Sequence, residues 1–152
     1  DMSCDIVDWQ ETMHYIDDAL GQCAGLSSFP LKPPYHIHNY PKFISVGAGL
    51  DMDPVKLAQA AKRYRTLVRA FNIGRGMRRK DEKPPANHWK KRFPELEEEL
   101  LDAYYKLKGW NNDGIPTKES LHELGLDYVY EDFVARGILT DGDDVPGEDT
   151  SV

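Results

Sequence analysis

The feature that most constrains this chain is a helical spacing of apolar residues, together with the lack of any convincing apolar–polar alternation. The spacing is clearest after Pro54, where the apolar residues are Leu57, Ala60, Ala61, Tyr64, Leu67, Val68 and Phe71. Asp53 suits the N-cap of this helix, Pro54 its first turn and Gly74 its end. Three arginines are expected largely off the apolar face, namely Arg63, Arg65 and Arg69. The sequence therefore predicts an all-α fold.

Further helices are predicted on both sides of this one. The first is expected to be capped by Asp8, with Glu11 completing a capping box, and to end before Gly21. Three more are predicted over residues 94–108, 117–124 and 127–136. A glycine follows each predicted helix, and glycine readily adopts the left-handed backbone that closes a helix.

The segment from Cys23 to Leu50 is predicted as a long loop that lies against another domain. It contains four prolines and shows no helical period. Residues 1–139 are expected to form an irregular helical domain. Residues 140–152 are acidic and nearly free of apolar side chains, so they are expected to be a disordered tail.

Composition argues against several classes of function. The net charge of -7 argues against general nucleic-acid binding, which requires a basic face. No apolar run approaches the roughly 20 residues of a membrane span, and "DMSCDIVDWQ" shows no signal peptide. Two cysteines are too few for a disulfide scaffold, which indicates a reducing compartment and predicts a cytoplasmic location.

Cys23 lies just beyond a predicted helix end, close to the carboxylates of Asp17 and Asp18. A thiolate is a soft metal ligand, but a four-iron cluster or a structural zinc ion needs four ligands. Cys4 is 19 residues away, and neither cysteine belongs to a C-x-x-C pair. Spacing alone therefore favours a buried, inert cysteine. A small metal-binding protein that uses Cys4, Cys23 and histidines is an alternative.

Three stretches, in order, resemble the aldehyde:ferredoxin oxidoreductase family of tungsten-pterin enzymes. "DALGQC" resembles the family signature D-x-x-G-L-C. "GAGLDMDPVKLAQAAKRYRTLVRAFNIGRGMRRKDEKPP" is similar to its long helix and the following turn, and "LLDAYYKLKGWNNDGIPTKESLHELGL" to its carboxy-terminal segment. The resemblance covers roughly residues 8–139. "RRKDEKPPANHW" and "RGIL" are most similar to the active-site subunit of class II benzoyl-CoA reductases.

The resemblance implies a cofactor site around the signature. It makes Cys23 the last of four ligands to a 4Fe-4S cluster, and Asp18 an acceptor of hydrogen bonds from a pterin ring, with Asp17 as the adjacent alternative. Gly21 and Gln22 then complete the pterin-binding turn, although Gln22 stands where the family usually has Leu. The other three cluster ligands belong to a C-x-x-C-x-x-x-C run that this sequence lacks. The chain is therefore expected to be the carboxy-terminal part of a longer enzyme, either as a fragment or as a separate subunit.

The implied function is that of a tungsten (or molybdenum) bis-pterin, iron–sulfur oxidoreductase. Reduction of an aromatic acyl-CoA is the first expectation, and oxidation of an aldehyde to a carboxylic acid with ferredoxin as acceptor is the alternative. A non-catalytic helical subunit or interaction module is a further alternative. The implied partners are the remainder of the enzyme, a ferredoxin-like electron-transfer protein and the acyl-CoA or aldehyde substrate, within an oligomer.

Two other groups of residues are weaker candidates. His36 and His38 alternate in the predicted loop and, in extended chain, point the same way, so either can be a proton donor. The alternative is that they only pack on a neighbouring domain. A basic run is a candidate site for CoA phosphates, although cations also favour a helix C-terminus without any ligand. Its members are Arg75, Arg78, Arg79 and Lys80.

Overall fold

In the computed structural model, the described residues are 2–23, 35–83, 85 and 94–140. Within these ranges the chain forms α-helices and two short 3₁₀ turns, Arg79–Asp81 and Pro94–Leu96, and no β-strand. The helices are α1 (Met2–Ala19), α2 (Tyr35–Ala48), α3 (Pro54–Gly74), α4 (Glu97–Lys108), α5 (Lys118–Glu123) and α6 (Asp127–Ala135). An isolated bridge joins Trp110 to Pro116. The predicted all-α fold is confirmed.

The described residues divide into two compact units, each with its own core. The first unit comprises residues 5–65, and its buried core residues are Met13, Ile16, Leu57 and Ala61. The second comprises the described residues of 1–4 and 66–152. Its buried core residues are Ala70, Ile73, Ile115, Leu121, Leu126, Val129, Phe133 and Leu139. None of the helices in the described ranges is long and apolar enough to cross a membrane.

Helix α1 begins at Met2, so the prediction that Asp8 caps it is wrong. Asp8 lies inside the helix, and its Oδ1 accepts a hydrogen bond of 2.7 Å from Nη2 of Arg65. Oε2 of Glu11 lies 3.4 Å from Nη1 of the same guanidinium. Residues three apart share a helix face, so both carboxylates reach one cation. The D-x-x-E spacing thus places two carboxylates on one helix face, where both contact the Arg65 guanidinium.

Helix α2 occupies part of the segment that was predicted to be a loop. Pro41 lies inside this helix and is buried, although a proline in a helix interior costs about 3 kcal/mol. Tyr40 and Ile44 pack against the core of the first unit, and this burial offsets the cost. The backbone at His36 and His38 is helical, so the extended-chain argument for their common direction is wrong. Residues 24–34 of the predicted loop lie outside the described residues.

Helix α3 has the predicted bounds but only part of the predicted buried face. Its cap is confirmed, because Oδ1 of Asp53 accepts a hydrogen bond of 2.9 Å from the backbone N–H of Lys56. However, Arg65 and Arg69 are buried, whereas Phe71 is 65% exposed. Both arginines are buried because carboxylates elsewhere in the chain pair with them, which offsets the cost of desolvating a guanidinium.

Helices α5 and α6 confirm the two short predicted helices at the carboxy-terminal end. Thr117 caps α5, and its hydroxyl accepts a hydrogen bond of 3.3 Å from the backbone N–H of Ser120. Of the predicted disordered tail, only Thr140 belongs to the described residues, so that prediction is untested.

Candidate functional site

The turn after α1 has the geometry that the "DALGQC" stretch predicts. Gly21 adopts a left-handed backbone with a φ of 68°, and its N–H donates to the carbonyl of Asp18 at 3.1 Å. The N–H of Gln22 donates to the carbonyl of Asp17 at 2.8 Å. This pair of bonds is a Schellman motif, in which glycine is favoured because it has no Cβ to oppose a positive φ. The backbone N–H groups of Gly21 and Gln22 are therefore both used in ending the helix.

The two aspartates at this helix end are placed very differently. Asp17 has 0% of its surface exposed, whereas Asp18 is exposed. Gly21, Gln22 and Cys23 are exposed as well, and no described atom lies within 4 Å of a Cβ built on Gly21. The described residues leave Asp18 and the turn accessible to a ligand, whereas the carboxylate of Asp17 is covered. This geometry favours Asp18 as the residue that contacts a ligand.

The buried carboxylate of Asp17 belongs to a small polar network that includes Tyr40 of α2. The single proton of the Tyr40 hydroxyl is shared between Oδ1 of Asp17, at 3.3 Å from the hydroxyl oxygen, and Oε1 of Gln22, at 3.1 Å. Oδ2 of Asp17 is buried and has no hydrogen-bond partner in the described part of the chain. The sequence suggested Tyr40 only as an aromatic wall of a substrate pocket, and it did not predict these contacts because the segment was expected to be a loop.

The two cysteines differ in placement. Cys23 is exposed, whereas Cys4 is buried and its thiol points at the carbonyl of Leu100 at 3.7 Å. Among the described residues, no group of three or more His, Cys, Asp or Glu side chains is placed to hold a metal ion. The side chains of His36 and His38 lie outside those that the structure describes.

Two arginines of the basic run 75–80 are engaged in contacts within the chain. The Arg78 guanidinium donates to the carbonyls of Ile73 and Met77 at 3.0 and 2.7 Å. Arg79 lies 2.7 Å from Oε2 of Glu98 and 2.6 Å from Oδ1 of Asp102. These contacts support a structural role for both arginines over phosphate binding.

A second network, which the sequence did not reveal, surrounds the buried guanidinium of Arg69. Its two terminal nitrogens donate to the two oxygens of Glu82 at 2.6 and 2.7 Å, and its Nε donates to the carbonyl of Gly114 at 2.8 Å. The guanidinium also lies 4.2 Å from the ring centroid of Trp110. Burial alone raises the pKa of Glu82, but hydrogen bonds from Arg69 and Tyr105 outweigh burial and lower that pKa.

Comparison with known proteins identifies the family. Residues 1–126 match the family described as aldehyde ferredoxin oxidoreductase, domains 2 and 3. Tungsten-containing aldehyde ferredoxin oxidoreductases from Pyrococcus furiosus and Thermococcus kodakarensis are each 29% identical to the chain, over 60% and 58% of its length. The chain is also 80% identical to a chain of the active-site complex BamBC of benzoyl coenzyme A reductase in complex with 1,5-dienoyl-CoA, with a TM-score of 0.88 over 93% of its length.

The matches cover only a small part of each relative. The chain spans 17% of the Pyrococcus furiosus protein, 16% of the Thermococcus kodakarensis protein and 22% of the benzoyl coenzyme A reductase chain. The family match nevertheless runs over far more than half of this sequence, and it includes the whole turn from Asp18 to Cys23. The chain therefore belongs to the aldehyde ferredoxin oxidoreductase family, in the region formed by its domains 2 and 3.

Proposed function

We propose that this chain is the carboxy-terminal helical part of a tungsten-pterin, iron–sulfur enzyme that reduces the ring of an aromatic acyl-CoA. The supporting observation is the 80% identity, over 93% of the chain, to part of the benzoyl coenzyme A reductase active-site complex. Aldehyde oxidation is the second candidate, because the relatives from Pyrococcus furiosus and Thermococcus kodakarensis are named aldehyde ferredoxin oxidoreductases. Ring reduction has the stronger support, because the chain is 80% identical to the benzoyl coenzyme A reductase chain and only 29% identical to the aldehyde ferredoxin oxidoreductases.

The turn after α1 has a donor set that fits this proposal. Cys23 provides one exposed soft thiolate, which suits one corner of a 4Fe-4S cluster whose other ligands come from the rest of the enzyme. Asp18 provides an exposed carboxylate, and a carboxylate accepts two N–H hydrogen bonds from the edge of a pterin. With both groups bound, the metal on the pterins supplies redox chemistry at the substrate and the cluster supplies electron transfer.

The backbone of the turn holds these two side chains in a fixed order. The Schellman bonds of Gly21 and Gln22 leave the Asp18 side chain at the helix end and place Cys23 one residue beyond the closed turn. Only four residues separate the proposed pterin acceptor Asp18 from the proposed cluster ligand Cys23, and this short separation favours a short electron path. The chain's own contribution is therefore to position one carboxylate and one thiolate on a rigid helix end.

His36 and His38 stay predicted proton donors for ring reduction, within helix α2 rather than a loop. The proposed partners are the remaining segments of the enzyme, a ferredoxin-like electron-transfer protein and an acyl-CoA substrate. A cytoplasmic, oligomeric enzyme stays the expectation from the sequence.

An assay of the assembled, full-length enzyme tests the function. With a reduced dye as donor, benzoyl-CoA should cause dye oxidation, and with an oxidised dye the dienoyl-CoA product should cause its reduction. Simple aldehydes should cause little change under the same conditions. Rapid aldehyde turnover without any response to acyl-CoA contradicts ring reduction and supports the second candidate. Absence of iron and tungsten from the purified complex contradicts both and supports a non-catalytic helical module.

A further inference from the structure

We propose that Tyr40 is a positioning residue for Cys23, and that it thereby sets the reduction potential of the iron–sulfur cluster. The inference rests on the proposed function, because it requires Cys23 to be a cluster ligand. Tyr40 belongs to α2, whereas Cys23 follows the turn that closes α1. The link between them consists of Asp17 and Gln22.

The link consists of one backbone hydrogen bond and the single proton of the Tyr40 hydroxyl, which two acceptors share. The backbone N–H of Gln22 donates to the carbonyl of Asp17 at 2.8 Å, which fixes the main chain directly before Cys23. The Tyr40 hydroxyl lies 3.1 Å from the side-chain oxygen of Gln22 and 3.3 Å from Oδ1 of Asp17. Gln22 is therefore held at its backbone by α1 and at its side chain by α2. Cys23 is the next residue, so any movement of Gln22 moves the thiolate as well.

The burial of Asp17 makes this link sensitive to the tyrosine hydroxyl. The side chain has 0% exposure, and its Oδ2 finds no partner among the described residues. Tyr40 supplies a hydrogen bond to the other oxygen. A buried carboxylate that loses such a donor is strongly disfavoured, so its helix end is expected to open towards water. Tyr40 itself is anchored, because its ring packs against the core that contains Met13 and Ile16.

Opening of this turn changes the potential of a cluster bound at Cys23. Reduction adds negative charge to a cluster, and water stabilises that charge better than protein does, so greater exposure raises the potential. Loss of the Tyr40 hydroxyl should therefore make the midpoint potential more positive, without removing a ligand. A residue with a merely structural role would change stability and leave the potential unchanged.

The test uses Tyr40→Phe in the full-length enzyme, with Tyr64→Phe as the matched control. The Tyr64 ring meets Tyr15 edge to face in the same unit, and it takes no part in the link. The measurements are iron content, the EPR-monitored redox titration of the cluster, and the rate of iron release to a chelator. Tyr40→Phe should keep the iron content, shift the midpoint to a more positive potential and release iron several-fold faster. Tyr64→Phe should match the wild type in all three.

A second variant, Gln22→Leu, removes the other side-chain acceptor at similar volume. It should shift the midpoint in the same direction as Tyr40→Phe. Unchanged or more negative midpoints in both variants overturn the inference. A cluster that survives Cys23→Ala instead contradicts the proposed function, so the two failures are distinguishable.

Discussion

Arg69 and Glu82 form a nearly buried ion pair in which two parallel hydrogen bonds, of 2.6 and 2.7 Å, join the guanidinium to the carboxylate. The side chain of Arg69 is 7% exposed and that of Glu82 is 19% exposed. Tyr105 donates a further hydrogen bond to Glu82, and the carbonyl of Gly114 accepts from Arg69. The pair therefore joins α3 to the residue that follows the 3₁₀ turn Arg79–Asp81, and to the turn after α4 that contains Gly114.

Glu82→Gln should destabilise the fold by about 3 kcal/mol at pH 7, because it leaves a nearly buried guanidinium without its counter-charge. The folded pKa of Glu82 is lowered, so the carboxylate stabilises the fold above its unfolded pKa of about 4.3. That stabilisation is lost as the pH falls through the folded pKa. The difference between wild type and variant should therefore shrink below about pH 4. Thermal unfolding across a pH series measures it.

Glu98→Gln is the matched control for this prediction. Glu98 also pairs with an arginine, Arg79, at 2.7 Å, but its side chain is 67% exposed. Exposed ion pairs contribute little to stability. An equal loss of stability in Glu98→Gln and Glu82→Gln would mean that burial of the Arg69 pair is unimportant.

Asp8 and Arg65 should show energetic coupling. Asp8→Asn should destabilise the wild type, and it should have a much smaller effect in an Arg65→Met background, with a coupling of about 1 kcal/mol. Urea denaturation of the two single variants and the double variant measures this coupling. Asp5→Asn, an exposed acidic residue in the same helix, is the control and should be additive with Arg65→Met. Additivity of Asp8→Asn would contradict the assigned pairing.

The same pairs explain what the sequence could and could not predict. Periodicity and glycine positions gave the bounds of α3, because both depend only on neighbours along the chain. The burial of Arg65 and Arg69 depends on carboxylates 57 and 13 residues away, which no local pattern reveals. The spacing of Asp8 and Glu11 fits a capping box and a helix-surface pair equally well, and only the position of Arg65 distinguishes them.

The candidate site also combines a feature that local sequence predicts with one that depends on distant residues. The turn at Gly21 follows from local backbone chemistry, so "DALGQC" was enough to predict it. The burial of Asp17 and its hydrogen bond to Tyr40 were not predictable, because Pro41 argued against the helix that carries Tyr40. The packing of Tyr40 and Ile44 into the core outweighed the local cost of the proline.

Two glycines with left-handed backbones should respond differently to alanine. Gly21→Ala should cost about 1 kcal/mol, because the φ of 68° is strained for alanine but no described atom lies near the added Cβ. Gly114→Ala should cost about 3 kcal/mol or more, because its Cβ would lie 2.0 Å from Nη2 of Arg69 and 2.8 Å from the Tyr105 hydroxyl. Thermal unfolding ranks the two variants, and equal losses would contradict the assigned packing around Gly114.

Cys23→Ala should remove or convert one 4Fe-4S cluster in the full-length enzyme. The exposed thiol at the end of α1 is the soft ligand that the proposed site takes from this region, and alanine cannot replace a thiolate. Iron content per protein should fall, or the EPR signal should change to that of a cluster with fewer irons. If the proposed function holds, turnover with the substrate should fall with it, because the cluster would no longer relay electrons to the metal.

Cys4→Ala is the internal control for this prediction. Cys4 is buried, and its thiol contacts the carbonyl of Leu100, so the variant should lose some stability and retain its iron. Unchanged iron content and an unchanged cluster EPR signal in Cys23→Ala would exclude Cys23 as a ligand. Loss of iron in Cys4→Ala alone would identify Cys4 as the ligand, although its thiol is buried and only 7% of the residue is exposed. The pair of variants therefore distinguishes a ligand from a core cysteine in a single measurement of iron.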